Sequence, residues 1–273
     1  MTETRILAFG AHAADAFLAA GGTLGKHAAA GDHVTIVCLS YGERSHAPTF
    51  WQPRSNAADP VSIEEIQQCK KAEAEQAAAI LGVEIAFLSF GECPLEIDST
   101  KMRQLVELVR ELRPSAVVSH WTHDWANPDH AVAGQAILEA CRYAAIPGFE
   151  TSLGVRGRPP FAIGRVYHYA INPICIAPEL HLIPDYYVDI SSFLDAKATA
   201  LEAFKTQARA GRDIRAFTEH VAYTIGYRCG SQYAEAFMTM AHPPQSHPYL
   251  WVGESNSNGK RLGWQEESAR HAA

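Results

Sequence analysis

Residues 5–10 read Arg-Ile-Leu-Ala-Phe-Gly, and residues 34–40 read Val-Thr-Ile-Val-Cys-Leu-Ser. Each run has the length and the apolar, β-branched composition of a buried strand. The segment between them, residues 15–30, is rich in Ala and Leu at helical spacing, and Gly31 follows it. A strand, a helix and a second strand in this order predict a βαβ unit.

The same alternation continues outward from this unit. Ser62 and Glu65 form a capping-box pattern at the start of a predicted helix over 62–81, which Gly82 ends. Further predicted elements are a strand over 84–90, a helix from Asp98 or Ser99 to Leu112, strands over 116–119, 165–171 and 186–190, and a helix over 192–210. Strands alternating with helices predict a Rossmann-like three-layer α/β sandwich with a mostly parallel sheet and a site at the carboxyl ends of the strands.

The composition predicts a globular enzyme-sized domain. The chain has 273 residues, of which 47% are hydrophobic and 19% charged, with a formal net charge of −7. This negative charge disfavours nucleic acid as the main partner. The sequence shows neither an apolar run long enough to span a membrane nor a signal-peptide layout, so we expect a cytoplasmic protein.

We expect one catalytic domain over residues 1–240. Residues 241–273 are rich in Pro, His, Ser, Asn and Gly and predict a C-terminal arm or tail. The sequence leaves a monomer and a homo-oligomer both open.

Two clusters of potential metal ligands follow predicted strands. His12 and Asp15 come directly after the first strand, and His130 begins a helix shortly after the fourth. Two imidazoles and a carboxylate with one open position suit a single zinc ion. Asp129 is a candidate to hold the second nitrogen of a ligand histidine. Taken separately, Asp15 is equally well explained as a helix N-cap. Either histidine alone is equally well explained as a packed structural residue.

The chain also resembles a known family at three separated places. Residues 6–24 contain Ala-His12-Ala-Ala-Asp15 followed by Gly-Gly-Thr-Leu, and a strand ending in Gly42-Glu43 comes next. Asn127-Pro-Asp-His130 and the later Tyr-Ala-Glu-Ala-Phe, residues 233–237, complete the pattern. This order resembles the PIG-L (LmbE-type) zinc N-deacetylases, and the resemblance implies that His12, Asp15 and His130 are the metal ligands.

The departures from the family pattern concern the groups that the deacetylases use beside the metal. The resemblance places their water-activating general base at Ala14 and their oxyanion-stabilising histidine at Asn127, while Ala16 replaces a glutamate. Hydrolysis of an amide depends on both lost groups. A site that keeps a Lewis acid without them suits the addition of water to an activated C=C bond.

The resemblance extends to the hydratase branch of this family and implies a substrate. That substrate is the small tricarboxylate 4-oxalomesaconate, or its enol 4-carboxy-2-hydroxymuconate, hydrated to 4-carboxy-4-hydroxy-2-oxoadipate in gallate and protocatechuate catabolism. Two alternatives stay open at this stage. One is a zinc deacetylase of an N-acetylglucosaminyl-type substrate, and the other is a metal-bearing binding module without catalysis.

The loss of the deacetylase groups leaves acid/base and substrate-binding roles to other residues. Glu43 and His168 are the nearest ionisable groups at predicted strand ends or crevice-facing strands, so we assign proton transfer to them, with His120 and His123 as the next candidates. Structural roles for Glu43 and His168 stay open. For the carboxylates of the substrate we expect His123, Asn127, Arg44 and Arg228. Residues 44–60 form a long connection that resembles an active-site flap.

Overall fold

The main sheet has five parallel strands. The computed structural model describes residues 4–51, 61–124, 126–149, 158–171, 184–207, 213–239 and 245–247. The strands are β1 (Arg5–Gly10), β2 (His33–Cys38), β3 (Glu84–Phe87), β4 (Ala116–His120) and β5 (Arg165–Tyr169). They pair in the order β3-β2-β1-β4-β5.

Helices cover both faces of this sheet. They are α1 (Asp15–Ala29), α2 (Pro48–Trp51), α3 (Ile63–Leu81), α4 (Ser99–Leu112), α5 (Pro128–Ala144), α6 (Leu194–Glu202) and α7 (Ile214–Cys229). One buried cluster joins the sheet to α1 and α3, and a second joins the opposite face to α4 and α5. The predicted three-layer α/β sandwich is therefore confirmed.

Strand alternation explains why the strands are apolar throughout. Ile6 and Ala8 of β1 belong to the first cluster, whereas Leu7 and Phe9 belong to the second. Successive side chains of a strand point to opposite faces, and here both faces are buried. The result is the continuous apolar run seen in the sequence.

A second, smaller sheet lies beyond the fifth strand. Its members are β6 (Tyr186–Asp189), β7 (Ala234–Phe237) and β8 (Gln245–His247), in the order β7-β6-β8. Glu235 of β7 accepts hydrogen bonds from Lys197 Nζ at 2.7 Å and from the backbone N–H groups of Gly22 and Thr23 at 2.9 and 2.8 Å. We call this set the clamp, because it fixes the middle of α1 to β7.

The described elements differ from the sequence predictions mainly at their ends. The helix predicted over 192–210 ends at Glu202 and continues as a 3₁₀ turn over Lys205–Gln207. The physical reason is that Glu73 accepts the N–H of Thr206 at 2.7 Å and its hydroxyl at 2.6 Å, which holds the chain in the tighter turn. The strand predicted over 84–90 ends at Phe87, and Ser89 has a φ of 54°.

Some predictions concern parts that the structure covers incompletely. Within the proposed tail 241–273, residues 245–247 pair with β6 and the others lie outside the described residues. Most of the connection over 44–60 lies outside them as well. No helix in the described ranges is both long enough and apolar enough to cross a membrane.

The strand order also fixes where a site forms. The chain moves outward from β1 to β2 and β3, and then returns to place β4 on the other side of β1. Such a reversal opens a crevice at the carboxyl ends of the two central strands. His12 follows β1 and His120 ends β4, so both lie at this switch point.

Candidate metal centre

A tight turn after β1 brings His12 and Asp15 together. The backbone N–H of His12 donates to Asp15 Oδ2 at 2.7 Å, and His12 Nδ1 lies 3.2 Å from the same oxygen. Gly10 makes this turn possible, because a Cβ there would lie 2.7 Å from the carbonyl oxygen of His12. The spacing of three residues therefore places both side chains at one point.

Helix α5 brings His130 to the same point. Asn127 caps this helix by accepting the N–H of Asp129 at 3.0 Å, and Pro128 occupies its first turn. At Gly134 a Cβ would lie 2.6 Å from the carbonyl oxygen of His120, so α5 packs closely on the end of β4. The rings of His12 and His130 consequently lie 5.3 Å apart, centroid to centroid.

Two carboxylates orient the His12 ring. Its Nε2 lies 3.0 Å from Glu92 Oε2 and 3.4 Å from Asp129 Oδ2, so Nε2 carries a hydrogen and Nδ1 faces Asp15. Burial alone would lower the pKa of His12, but the charge of Asp15 and the carboxylate hydrogen bonds raise it well above its usual value. The charges around Nδ1 therefore favour a cation at this position, whether a proton or a metal ion.

A third carboxylate orients His130. Its Nδ1 donates to Asp124 Oδ2 at 2.9 Å, which leaves Nε2 as a bare lone pair. Nε2 is buried, has no hydrogen-bond partner among the described residues and lies 3.6 Å from Asp15 Oδ2. A buried nitrogen without a hydrogen-bond partner lowers the stability of the fold unless a ligand binds to it.

His120 lies beneath Asp15 and completes the cluster. Its Nε2 accepts the N–H of Ala11 at 2.9 Å and lies 3.0 Å from Asp15 Oδ2. Burial and the neighbouring His130 lower the pKa of His120 to about 4. A neutral His120 does not repel a cation bound beside it, so it can pack next to the metal position. We call His12, Asp15, His120 and His130 the metal cluster.

The donor set fits the zinc ion that the resemblance implies. His12 Nδ1, one carboxylate oxygen of Asp15 and His130 Nε2 converge, and the unpaired His130 nitrogen is the position that an ion would complete. Ligand histidines typically donate their other ring N–H to a carboxylate, and both do so here. The predicted partner Asp129 belongs to His12, whereas Asp124 serves His130.

A cavity of about 650 Å³ opens over the cluster. Asp15 and His130 contribute to its wall, together with Ala14, Asn127 and His46. Ala14 and Asn127, two of the three departures from the deacetylase pattern, therefore face the place where a substrate would bind. Neither side chain titrates, so neither replaces a general base.

The structure places Glu43 and His168 near the cluster but does not bring them into the described wall of this cavity. The Glu43 carboxylate accepts the side-chain amide of Gln67 at 3.1 Å and the N–H of Tyr41 at 3.2 Å. His168 Nδ1 donates to the carbonyl oxygen of His120 at 2.9 Å, and burial lowers its pKa. Their assignment to proton transfer stays a prediction.

The predicted substrate-binding residues divide into two groups. Asn127 lines the cavity, and His123 lies exposed after β4 with its Nδ1 2.7 Å from the Thr122 hydroxyl. Arg44 is exposed and is absent from the described wall, and Arg228 is exposed on α7 with a side-chain hydrogen bond to Tyr187. The structure therefore does not bring the two arginines together with the metal cluster.

Sequence reasoning missed three residues of the centre: Glu92, Asp124 and His46. Glu92 follows β3 at another strand end, a position that could have drawn attention to it. Burial alone would raise its pKa, but hydrogen bonds and the charge of His12 bring it to about 2. Asp124 directly follows His123 in the sequence, and His46 lies in the connection that resembles an active-site flap.

Comparisons with known proteins agree with the geometry. Residues 7–141 match the PIG-L family, described as GlcNAc-PI de-N-acetylase. A 4-oxalmesaconate hydratase of Pseudomonas putida is 31% identical over 202 residues, which are 74% of this chain and 73% of that protein. A diacetylchitobiose deacetylase of Thermococcus kodakarensis is 27% identical over 238 residues, which are 85% and 81% of the two chains.

A solved structure extends the similarity to the three-dimensional fold. The crystal structure of GalB, the 4-carboxy-2-hydroxymuconate hydratase of Pseudomonas putida KT2440, superposes with a TM-score of 0.75 at 25% identity. The superposition covers 88% of this chain and 97% of that chain. The motifs, the fold and the relatives thus agree, and the chain belongs to the PIG-L family.

Proposed function

We propose that this protein is a zinc-dependent hydro-lyase acting on a small tricarboxylate. It adds water to 4-oxalomesaconate, or to the enol 4-carboxy-2-hydroxymuconate, and forms 4-carboxy-4-hydroxy-2-oxoadipate, a step of gallate and protocatechuate catabolism in the cytoplasm. The observation that carries the proposal is the presence of Ala14 and Asn127 in the wall of the cavity, in a chain 31% identical to a hydratase.

These two residues favour hydration over amide hydrolysis. Amide hydrolysis at this site would need a group at Ala14 to activate water, and a general base commonly contributes 10²- to 10⁴-fold. Asn127 uses its side-chain oxygen to cap α5, so its amide N–H₂ is the group left to donate to a substrate oxygen. The wall can therefore bind an oxygenated substrate without supplying the deacetylase base.

The metal cluster determines how a substrate would be held. A zinc ion bound by His12, Asp15 and His130 supplies a Lewis acid for substrate oxygens and for the enolate-like charge of the reaction. Glu92 and Asp129 keep the His12 ring in place. Lys205 and Gln207 also line the cavity and can donate to carboxylates.

Proton transfer in this proposal belongs to Glu43 and His168. The Nδ1–H of His168 is held by the His120 carbonyl, so Nε2 is the nitrogen that can accept a proton. Glu43 follows the end of β2 at the crevice edge. The roles of Arg44 and Arg228 in binding the carboxylates of the substrate stay predictions.

A direct assay separates this function from its rivals. Purified protein given 4-oxalomesaconate should consume it in an ultraviolet assay, lose activity to a chelator and regain it with Zn²⁺. His130→Ala should be inactive, whereas His220→Ala, an exposed residue of α7 outside the described cavity wall, should match the unmodified protein. Acetate release from diacetylchitobiose without hydration would establish the deacetylase instead. Inertness toward both substrates would favour a binding module.

A further inference from the structure

A third imidazole lies beside the two ligand histidines. His46 belongs to the connection between β2 and α2, and its ring centroid lies 4.3 Å from that of His12 and 6.4 Å from that of His130. One ring nitrogen from each of the three residues lies within 4.8 Å of the others. His46 also lines the cavity, so its ring faces the cluster and not the bulk solvent.

Hydrogen bonds indicate which nitrogen of His46 is free. The Ser45 hydroxyl donates to Glu92 Oε2 at 2.8 Å and lies 2.6 Å from His46 Nδ1. Because this hydroxyl has a single hydrogen, it accepts from Nδ1–H and leaves His46 Nε2 as a bare lone pair. Glu92 also holds Nε2 of His12, so one carboxylate orients both rings.

The backbone fixes His46 against His12. Lys70 Nζ donates to the carbonyl oxygen of His46 at 3.1 Å, and the N–H of His46 donates to the carbonyl oxygen of Gly42 at 3.1 Å. Gly42 has a φ of 78°, and a Cβ there would lie 3.1 Å from His46 Cβ and 3.3 Å from His12 Cβ. The two histidines therefore meet across a position that a side chain would fill.

We propose that His46 Nε2 is a fourth protein ligand of the ion held by His12, Asp15 and His130. Two nitrogens on one zinc lie about 3.4 Å apart when each bond is about 2.0–2.1 Å and the geometry is tetrahedral. One nitrogen of each ring lies within 4.8 Å of the other two, so small shifts of the rings would bring them to this separation. The inference rests on the metal of the proposed function and is independent of the substrate.

A fourth protein ligand changes how a substrate reaches the metal. Three protein ligands leave one position open, whereas four close a tetrahedral site. His12, Asp15 and His130 are at most 3% exposed, while His46 is half-buried on the cavity side. His46 would thus be the ligand that an incoming substrate oxygen displaces, and until then it would shield the ion from other oxygen ligands.

Metal affinity and a cobalt spectrum test this assignment without an activity measurement. Zn²⁺ affinity is measured by chelator competition for the full chain and for His46→Ala, His130→Ala and His220→Ala. Loss of a group that merely orients a ligand costs about 10- to 100-fold in affinity, so losing a direct ligand should cost at least tenfold. His46→Ala should also alter the visible spectrum of the Co²⁺-loaded protein, and added imidazole should restore it.

Each outcome has a definite meaning. The inference is overturned if His46→Ala keeps the affinity and the Co²⁺ spectrum of the unmodified protein while His130→Ala loses metal. If His130→Ala also keeps full affinity, the proposed metal site itself fails. If His46→Ala does not fold, Ser45→Ala replaces it in the test. This variant removes the partner of His46 Nδ1 and should also lower the Zn²⁺ affinity. An unchanged Zn²⁺ affinity would again contradict the inference.

Discussion

The clamp and the metal cluster are both buried charged networks on helix α1, but they differ in how completely they are paired. In the clamp, both oxygens of Glu235 and the ammonium of Lys197 have partners. In the metal cluster, His130 Nε2 and His120 Nδ1 are buried without partners among the described residues. A fully paired network stabilises a fold, whereas an unpaired nitrogen facing a carboxylate, as His130 Nε2 faces Asp15, indicates a place for a ligand.

This difference predicts that breaking the clamp lowers the free energy of unfolding without weakening zinc binding. Glu235→Ala should lower the free energy of unfolding by about 3–5 kcal/mol, because Lys197 would stay buried without its counter-charge. Denaturant unfolding measures this value, with Glu235→Leu combined with Lys197→Met as the matched control that removes both charges. The folded fraction of Glu235→Ala should keep its zinc affinity. A loss below about 1 kcal/mol would mean that the clamp is not a stabilising network.

Changing an orienting residue of the cluster should act on metal binding. Asp124→Asn replaces the acceptor of His130 Nδ1–H and should weaken zinc binding by about 10- to 100-fold. Asp98→Asn, which keeps an oxygen at the cap of α4, is the control and should leave zinc affinity unchanged. Chelator competition measures both. Equal affinities for the two variants would show that Asp124 does not orient a ligand.

The N-terminal cap of helix α3 lies outside both networks and provides a control for effects of general stability on zinc affinity. The Ser62 hydroxyl oxygen accepts the N–H of Glu65 at 3.1 Å at the exposed start of α3. Ser62→Ala should cost about 1 kcal/mol in the free energy of unfolding, measured with denaturant, and should not alter zinc affinity. If it weakened zinc binding as Asp124→Asn does, affinity would be following general stability, and the contrast between the two networks would not hold.

The sequence predicted the sheet and its covering helices well because local patterns encode them. Buried parallel strands need apolar residues on both faces, and caps such as Ser62 and Gly82 lie where the pattern placed them. Helix α7 was missed since its buried residues are Thr218, Ala222 and Gly226, which leave no apolar stripe in the sequence. Its cap at Asp213 and the left-handed Gly230 were the available signals.

The candidate site divides in the same way. Its central residues could be expected from the sequence, since the carboxyl ends of neighbouring strands meet at a switch point. The roles of Glu92 and His46 could not be expected, because they depend on contacts between loops that follow different strands. The predicted ligands, acid/base groups and substrate-binding residues stay predictions, which measurements of metal affinity and turnover test.

By itself, the sequence determined the α/β fold and the family, and it predicted the triplet of His12, Asp15 and His130, because strand patterns and short-range spacing are local properties. The tertiary structure decided the orientation of each ring, the pairing of Asp129 with His12 and of Asp124 with His130, and the approach of His46. The physical reason is that a hydrogen bond between distant residues depends on strand order and loop path. Residue type and spacing specify neither.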